Sequence, residues 1–395
     1  MISLLDKKDC CGCSACISIC AKNAISFQED SEGFLYPNVN LSLCVDCGLC
    51  NKVCPVLHFR EIPKQGHPVV YAAINRNEEE YMNSSSGGIF IVCANKIIED
   101  GGVVVGADYD GNFKVAHTFA ESKEDCIKFQ KSKYTQSEIR GVYKKIKEYL
   151  NLGRRVLFSG TPCQVAGLNL YLMRQYENLL TIDIVCHGVP SPKIYREYLN
   201  FIANGKKIKS LDFKKKKAYM RSTGLCIELE DGTRLENRLI TRLWSNLQFS
   251  NCIERPSCYD CQFTHLNRPA DITIGDYWHY NKLSPDFFPH KAPSLVLLNT
   301  QRGKAFFETI KKELYVEMSD DKVCLQPNLQ HPTIESVNRD DFWKTYHKYS
   351  FRYTISKYAG YTIKNILRDY LRHFLDNYIC RTNVMISNLI KNHAE

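Results

Sequence analysis

Two stretches of the sequence carry the same cysteine pattern: residues 10–20 read CCGCSACISIC, and residues 44–54 read CVDCGLCNKVC. In each stretch four cysteines follow the spacing C-x2-C-x2-C-x3-C. Three closely spaced thiolates bind one iron–sulfur cubane, and the fourth cysteine of each run binds the other cluster. The pattern therefore predicts two [4Fe–4S] clusters, one held by Cys10, Cys13, Cys16 and Cys54, the other by Cys44, Cys47, Cys50 and Cys20.

The repetition makes this signal specific. A single C-x2-C pair is compatible with zinc or with a redox disulfide, whereas two complete runs of identical spacing are hard to obtain otherwise. Ala21 stands where a proline usually follows the fourth cysteine, and Cys11 lies outside the spacing and is interpreted as a non-ligand. We expect residues 1–60 to form an α+β, ferredoxin-like two-cluster domain whose fold depends on the clusters more than on an apolar core.

Length and composition limit how the rest of the chain can be organised. A chain of 395 residues is too long to fold around a single hydrophobic core, so we expect several domains. The sequence has no apolar run of about 18 residues that would predict a transmembrane helix. The N-terminus lacks the pattern of a signal peptide, which predicts a cytoplasmic protein.

The net charge gives little support to a nucleic-acid partner, and we expect none. The formal charge of +9 counts every cysteine as neutral, and three thiolate-bound clusters would bring it to roughly +3. The one tight basic run, Lys214 to Lys217, is interpreted as a solvated loop or strand edge.

Beyond a linker at residues 61–68, strand and helix patterns alternate. Apolar runs predict strands at 101–107, 154–160, 179–188, 270–278 and 294–299; helices are predicted at 84–100, 137–151, 161–172 and 191–202. This alternation favours a mixed α/β body with a largely parallel sheet that is covered on both faces. We expect domains at 1–60, 68–155, 156–335 and 336–395.

The last part of the chain is rich in aromatic and basic residues. Residues 342–381 predict helices with one apolar face. Such a tail either packs on the body or serves as a docking surface for a partner protein or for peripheral contact with a membrane.

Four further cysteines lie in unusual surroundings. Cys163 and Cys186 follow predicted strands, where ligands of open α/β sheets collect, and Cys258 and Cys261 form a C-x2-C pair. These four are candidates for a third [4Fe–4S] cluster; the alternative is that the first two are buried core residues and the pair stands alone. Cys252 is a spare candidate, and the scattered remainder are interpreted as core residues, namely Cys93, Cys126, Cys226, Cys324 and Cys380.

A relay of one-electron clusters needs a cofactor that also handles two electrons, and flavin is the usual one. No G-x-G-x-x-G follows a strand, so the standard dinucleotide fingerprint is absent from the sequence. Two glycine-containing turns before helices are candidate phosphate sites, and Lys133 could supply a positive charge. The turns consist of Ser84, Ser85, Ser86, Gly87 and Gly88, and of Gly160 and Thr161; an ordinary serine N-cap is the alternative for the first.

Taken together, these motifs resemble the beta subunit family of coenzyme F420-reducing hydrogenases and dehydrogenases, a flavin and iron–sulfur family. The matching segments are YAAINRNEEEYMNSSSGGIF (71–90), KSKYTQS (131–137), VLFSGTPCQVAGL (156–168), DIVCHGVPSP (183–192), RPSCYDCQF (255–263) and RPADITIGDYW (268–278). The resemblance implies FAD in the α/β body with a cluster beside it. It supports the third cluster and implies flavin contacts at the serine/glycine turn, at Lys133 and Tyr134, and at Gly160 and Thr161.

The resemblance also implies a redox reaction. Relatives exchange a hydride with a deazaflavin or reduce organic substrates with ferredoxin electrons, and the N-terminal module resembles a bacterial group tied to cell-surface polysaccharide pathways. We therefore expect an oxidoreductase that passes electrons between a ferredoxin-type donor and an unidentified organic substrate other than the deazaflavin. His187 is a candidate proton donor or merely part of a turn.

Two other functions stay open from the sequence. One is an electron-transfer subunit with no substrate of its own that serves a partner enzyme. The other is a structural iron–sulfur protein without flavin, which would lack flavin absorbance.

Overall fold

The computed structural model describes residues 2, 6–61, 66–216, 224–284, 287 and 291–375. The described residues lie in two compact units. The first comprises Met1–Arg196, Phe213–Thr223 and Ile253–Glu335, and the second comprises Glu197–Asp212, Gly224–Cys252 and Ser336–Glu395. Within the described part of the chain, no helix has both the length and the apolar character needed to cross a membrane.

The cysteine-rich N-terminal segment is built on a small hairpin flanked by two short helices. Its elements are α1 Ala15–Ile19, β1 Ile25–Glu29, β2 Leu35–Val39 and α2 Leu49–Lys52. The two strands are antiparallel, with Ile25 opposite Val39. The small apolar cluster of this segment contains Ile2, Ile25 and Cys50, with further cysteines packed against it.

Most of the first unit is an α/β body around an eight-stranded sheet. The remaining strands of the chain are β3 Val69–Asn75, β4 Val103–Tyr109, β5 Val115–Ala120, β6 Val156–Gly160, β7 Leu179–Ile184, β8 Ile208–Asp212, β9 Cys226–Leu229, β10 Arg234–Glu236, β11 Ile272–Asp276, β12 Ser294–Leu298 and β13 Leu314–Ser319. The eight strands of the body are ordered β13-β3-β12-β11-β7-β6-β4-β5. All five predicted strands are present in this sheet.

The sheet is mixed, so the expectation of a largely parallel sheet is wrong at both flanks. Strands β11, β7, β6 and β4 are parallel, whereas β5 on one side and β12, β3 and β13 on the other join antiparallel. The reason lies in the connections. A turn at Asp110, with Phe113 N–H bonded to its carbonyl, folds β5 directly back on β4, and such a short connection permits only antiparallel pairing.

Helices cover both faces of the sheet, as predicted. The further α-helices of the described chain are α3 Glu78–Met82, α4 Ile89–Glu99, α5 Lys123–Cys126, α6 Val142–Asn151, α7 Pro162–Leu172, α8 Pro192–Ala203, α9 Leu239–Gln248, α10 Gln301–Ile310, α11 Arg339–Lys348 and α12 Phe351–Tyr358. Helices α4 and α10 pack on one face of the sheet, and α6 and α7 pack on the other. Because β11, β7, β6 and β4 run parallel, their carboxyl ends lie at the same edge of the sheet.

The second unit contains a three-stranded sheet, β10-β9-β8, with helices α9, α11 and α12. Residues 363–375 are also helical. Asp369 fastens this last helix, because its carboxylate accepts from Leu239 N at 2.6 Å and from Arg238 Nε at 2.8 Å. The predicted helices of the tail are thus confirmed up to residue 375, and residues 376–381 lie outside the described chain.

Candidate functional site

The two cysteine runs adopt the same backbone conformation at equivalent positions. Gly12 and Asp46, just before the second cysteine of each run, both have positive φ, at 72° and 48°. Ser14 and Gly48, just after it, also match, at 70° and 72°. Left-handed backbone is uncommon away from glycine, so this repetition shows that the equal spacing produces two equivalent loops.

Five cysteines line an open space of about 370 Å³ in the first unit: Cys11, interpreted as a non-ligand, and four predicted ligands of the first cluster. These four are Cys10, Cys13, Cys16 and Cys54, three from the first run and one from the second. Burial, and next the neighbouring Cys10 and Cys54 thiols, raise the pKa of Cys16 to about 12. Thiols that converge in this way fit the ligand set of one cubane, with the fourth ligand supplied by the other run.

The second predicted ligand set is less enclosed. Cys50 is buried, Cys20 and Cys44 are half-buried, and Cys47 is exposed. Two of these sulfurs accept backbone hydrogen bonds, Cys50 from Ile2 N at 3.0 Å and Cys20 from Ala24 N at 3.3 Å. Such hydrogen bonds are one means by which a protein adjusts the potential of a cluster. The assignment of this set stays a prediction.

The four cysteines of the body also meet at one cavity. Cys163, Cys186, Cys258 and Cys261 line a space of about 850 Å³ that opens to solvent. Cys163 lies in the first turn of α7, and Cys186 lies two residues after β7. Thr161 Oγ1 is 3.2 Å from the Cys163 sulfur, and Gly188 N donates to the Cys186 sulfur at 3.4 Å. The arrangement fits a third cubane at the carboxyl edge of the sheet.

Cys11 is a residue whose position the sequence did not reveal. It lines both cavities, and its thiol lies within hydrogen-bonding reach of the Cys13 thiol on one side and the Cys163 thiol on the other. The spacing pattern gave no reason to connect Cys11 with Cys163, because that contact joins residues far apart in the sequence. The two cavities are therefore neighbours, separated by this side chain.

The other cysteines behave mostly as predicted. Cys93, Cys126, Cys226 and Cys324 are buried, and Cys380 lies outside the described residues. Cys252, the spare candidate, is buried in the second unit with its thiol directed at Ser250 O. Among the residues that the structure describes, no group of three or more His, Cys, Asp or Glu is arranged to hold a single metal ion.

The serine/glycine turn and the 131–137 loop lie together, as the resemblance implies. Ser132 N donates to Ser85 Oγ at 2.7 Å, and Gln130 Nε2 donates to Ser84 Oγ at 3.2 Å. Gly88, with φ of 82°, is the N-cap of α4, so the alternative of an ordinary serine N-cap is wrong. The turn places the N-terminus of α4 directly after Gly88.

The Lys133 ammonium is hydrogen-bonded to backbone carbonyls near its own loop. It donates to the carbonyls of Lys128 at 2.9 Å and Gln130 at 3.0 Å, while Tyr134 packs edge-on against Phe213 with ring centroids 5.4 Å apart. Gly160 and Thr161 lie next to Cys163, on the cluster side of the same edge. The predicted flavin contacts thus lie in two groups, one formed by the serine/glycine turn and the 131–137 loop, the other by Gly160 and Thr161. Their assignment as flavin contacts stays a prediction.

The basic run is not a solvated edge, and that prediction is wrong for Lys214 and Lys216. Lys214 pairs with Asp276 at the end of β11. Lys216 is 6% exposed, donates to Tyr81 O at 2.7 Å and to Ser86 O, and lies 3.4 Å from the centroid of the Tyr81 ring. Desolvation lowers its pKa to about 7. Lys217 lies outside the described residues.

His187 lies beside Cys186 at the same edge of the sheet. Its ring stacks on Trp278 with centroids 5.8 Å apart, and its carbonyl accepts from Thr333 Oγ1 at 2.5 Å. Desolvation, and next the charge of Lys214, lower its pKa. With its pKa lowered, the His187 imidazole takes up a proton less readily than an imidazole exposed to water. Its role as a proton donor stays a prediction.

Comparison with known proteins finds two family models that match parts of this chain. Residues 153–323 match the model of the C-terminal part of the coenzyme F420 hydrogenase/dehydrogenase beta subunit, and residues 9–57 match the 4Fe-4S dicluster domain. These matches confirm the resemblance that the motifs indicated.

Individual relatives are distant. An uncharacterized protein of Methanocaldococcus jannaschii is 23% identical over 355 residues, covering 81% of this chain and 91% of that protein. The coenzyme F420-dependent sulfite reductase of the same organism is 28% identical over 195 residues, covering 41% of this chain and 30% of that enzyme. Among solved structures, a chain of the xenon-derivatized F420-reducing [NiFe] hydrogenase complex of Methanosarcina barkeri has 20% identity and a TM-score of 0.46, covering 65% of this chain and 84% of its own.

Proposed function

We propose that this chain is an iron–sulfur flavoprotein oxidoreductase, because residues 9–57 match the 4Fe-4S dicluster domain and residues 153–323 match the C-terminal part of the coenzyme F420 hydrogenase/dehydrogenase beta subunit. In this proposal a ferredoxin-type donor delivers electrons to the N-terminal module. They leave from the body to an organic substrate of unidentified structure, and the predicted link to polysaccharide pathways stays a prediction.

The observation that carries the proposal is the proximity of the two cysteine-lined cavities. Cys10, Cys13, Cys16 and Cys54 surround one, the four body cysteines line the other, and Cys11 borders both. Bound [4Fe–4S] clusters would exchange single electrons, and bound FAD would convert them to two-electron chemistry. The cysteines of this chain would hold the two clusters next to each other and shield the path between them from solvent.

The carboxyl edge of the sheet supports a place for the flavin. The buried ammonium of Lys216 lies at the serine/glycine turn, and within the described residues no carboxylate forms a salt bridge with it. The N-terminus of α4 begins at the same turn. A buried positive charge next to a helix N-terminus fits a phosphate-bearing cofactor. Lys216 and the α4 turn would then bind the flavin's diphosphate, and His187 would hold a proton near the cysteine cavity.

A stopped-flow experiment tests the proposal. Anaerobically purified protein is incubated with FAD, desalted and mixed with reduced ferredoxin while absorbance near ~450 nm is followed. We expect a retained flavin band that ferredoxin bleaches. The Cys16→Ser variant should be bleached much more slowly by ferredoxin but normally by dithionite. Loss of the band on desalting would contradict the flavin assignment, and a retained band that ferredoxin never bleaches would contradict the electron route.

The second candidate is an electron-transfer module that serves a separate catalytic centre. It is favoured by the match to the F420-dependent sulfite reductase, in which the similar segment is 30% of a larger enzyme. Turnover separates the two functions. An isolated chain that reduces its flavin yet turns over none of a panel of organic acceptors would favour the module.

A further inference from the structure

Arg255 lies between the two cysteine cavities. Its side chain is fully buried, and it stands three residues before Cys258, whose N–H donates to the Arg255 carbonyl at 2.8 Å. Its own N–H donates to Val189 O at 3.0 Å. The backbone of Arg255 therefore belongs to the loop that presents a body cysteine.

The guanidinium reaches into the N-terminal module. Nε donates to Cys10 O at 2.6 Å, and Nη2 donates to Leu35 O at 2.9 Å and to the Cys10 sulfur at 3.5 Å. Nη1 donates to Gln136 Oε1 at 3.0 Å, and the group lies 4.3 Å from the centroid of the Tyr36 ring. One residue thus contacts a predicted ligand of the first cluster through its side chain and supports a predicted ligand of the third through its backbone.

The charge of Arg255 has no ordinary counter-ion. In the described chain no carboxylate forms a salt bridge with it, and the groups that raise its pKa against desolvation are Cys10, Tyr36, Cys11 and Cys258. The other fully buried arginine of this region, Arg268, differs because it pairs with Asp183 at 3.3 Å. An unpaired charge inside a protein is costly. Thiolates that bind iron supply the missing negative charge, since a cubane with four thiolates carries about −2.

We propose that Arg255 raises the reduction potential of the cluster held by Cys10, Cys13, Cys16 and Cys54, so that this cluster accepts an electron more readily. The inference rests on the proposed function and deepens it. Each electron taken from the donor adds one negative charge to the cluster beside the guanidinium. A buried cation and a hydrogen bond to a ligand sulfur both stabilise the reduced state more than the oxidised state.

A redox titration of the anaerobic holoprotein, followed by electron paramagnetic resonance, tests this proposal. In Arg255→Gln, one cluster potential should fall by at least the equivalent of a tenfold change in the equilibrium constant, which is about 59 mV for one electron. Arg255→Lys keeps the charge and should restore most of the loss. Lys7→Gln is the matched control, because Lys7 is a cation of the same module whose side chain is 48% exposed, and its removal should leave all potentials unchanged.

A second variant guards against loss of folding in Arg255→Gln. Gln136→Glu keeps Arg255 and places a carboxylate against Nη1, at the cost of the Gln136 Nε2 bond to Cys11 O, and it should lower the same cluster potential. Unchanged potentials in Gln136→Glu and in any folded Arg255 variant would overturn the inference while leaving the proposed function intact. A wild-type protein without cluster signals would instead overturn the proposed function, so the two failures are distinct.

Discussion

Cys11 and Cys163 are identical side chains at the same cavity, yet we assign them different roles. Cys163 lies in the first turn of α7 and lines the cavity together with the other three body cysteines, whereas Cys11 lies between the two cavities and outside the ligand spacing. We predict that Cys163→Ala lowers iron from about 12 to about 8 per chain, and that Cys11→Ala leaves it near about 12. Iron analysis of anaerobic preparations measures both. Loss of iron in Cys11→Ala but not in Cys163→Ala would reverse the assignment.

Lys216 gives the protein a pH dependence that can be measured in flavin-free, cluster-loaded protein. Its pKa falls from 10.5 to about 7 on folding. Below about pH 7 both states carry the proton, and the folded state bears the full desolvation cost. Between about pH 7 and 10.5 the folded state releases the proton first, so stability rises with pH. We therefore predict that Lys216→Met raises the melting temperature more at pH 6 than at pH 9.

The matched control for this prediction is Lys216→Arg. A guanidinium does not deprotonate in this range, so the variant should lack the gain in stability between pH 7 and 10.5. Lys216→Met loses the hydrogen bonds of Lys216 at both pH values, and the difference between its effects at pH 6 and pH 9 reports the protonation of Lys216. An identical effect of Lys216→Met at pH 6 and pH 9 would refute a lowered pKa.

At the scale of single residues, the sequence predicted the candidate ligands that depend on local spacing. It missed the residues whose position depends on tertiary packing. The cysteine runs could be read because each ligand loop is made by neighbouring residues, and both loops have equivalent backbone angles. Lys216 looked like part of a solvated run, since nothing near it in sequence indicates that it contacts Tyr81, 135 positions away. The same applies to Cys11 and to Arg255.

At the scale of elements, the turn before α4 is held against the sheet by a glycine. A Cβ on Gly87 would lie 2.2 Å from Ala73 O and 2.6 Å from Ser294 N, both backbone atoms that cannot move aside. We predict that Gly87→Ala lowers the free energy of unfolding by about 2 kcal/mol or more. Gly111→Ala, where a Cβ meets open space, should change it by less than about 0.5 kcal/mol. Urea denaturation measures both, and equal stabilities would contradict the packing.

The elements themselves were mostly predictable, and their pairing was not. Apolar runs identified β4, β6, β7, β11 and β12 because buried strands of a covered sheet are almost continuously apolar. The same runs carry no information about direction, since antiparallel β12 is as deeply buried as parallel β7, and the antiparallel edge strands β5 and β13 are only partly buried. The flanking strands β3, β5 and β13 therefore escaped prediction, and with them the mixed character of the sheet.

At the scale of the whole molecule, the first unit brings two cysteine cavities together, one in the N-terminal module and one at the edge of the α/β body. Two features of these cavities bear on what they hold. Four predicted ligands line each cavity, beside Cys11, which lines both, and Arg255 is buried between them without a carboxylate partner in the described chain. Together they support the proposal that iron–sulfur clusters occupy the two cavities.

Iron and acid-labile sulfide, measured together on the full chain purified without oxygen, test the central claim most directly. Three cubanes predict about 12 irons and about 12 sulfides per chain. A chain with zinc in place of iron, or with iron but no sulfide, would contradict the account.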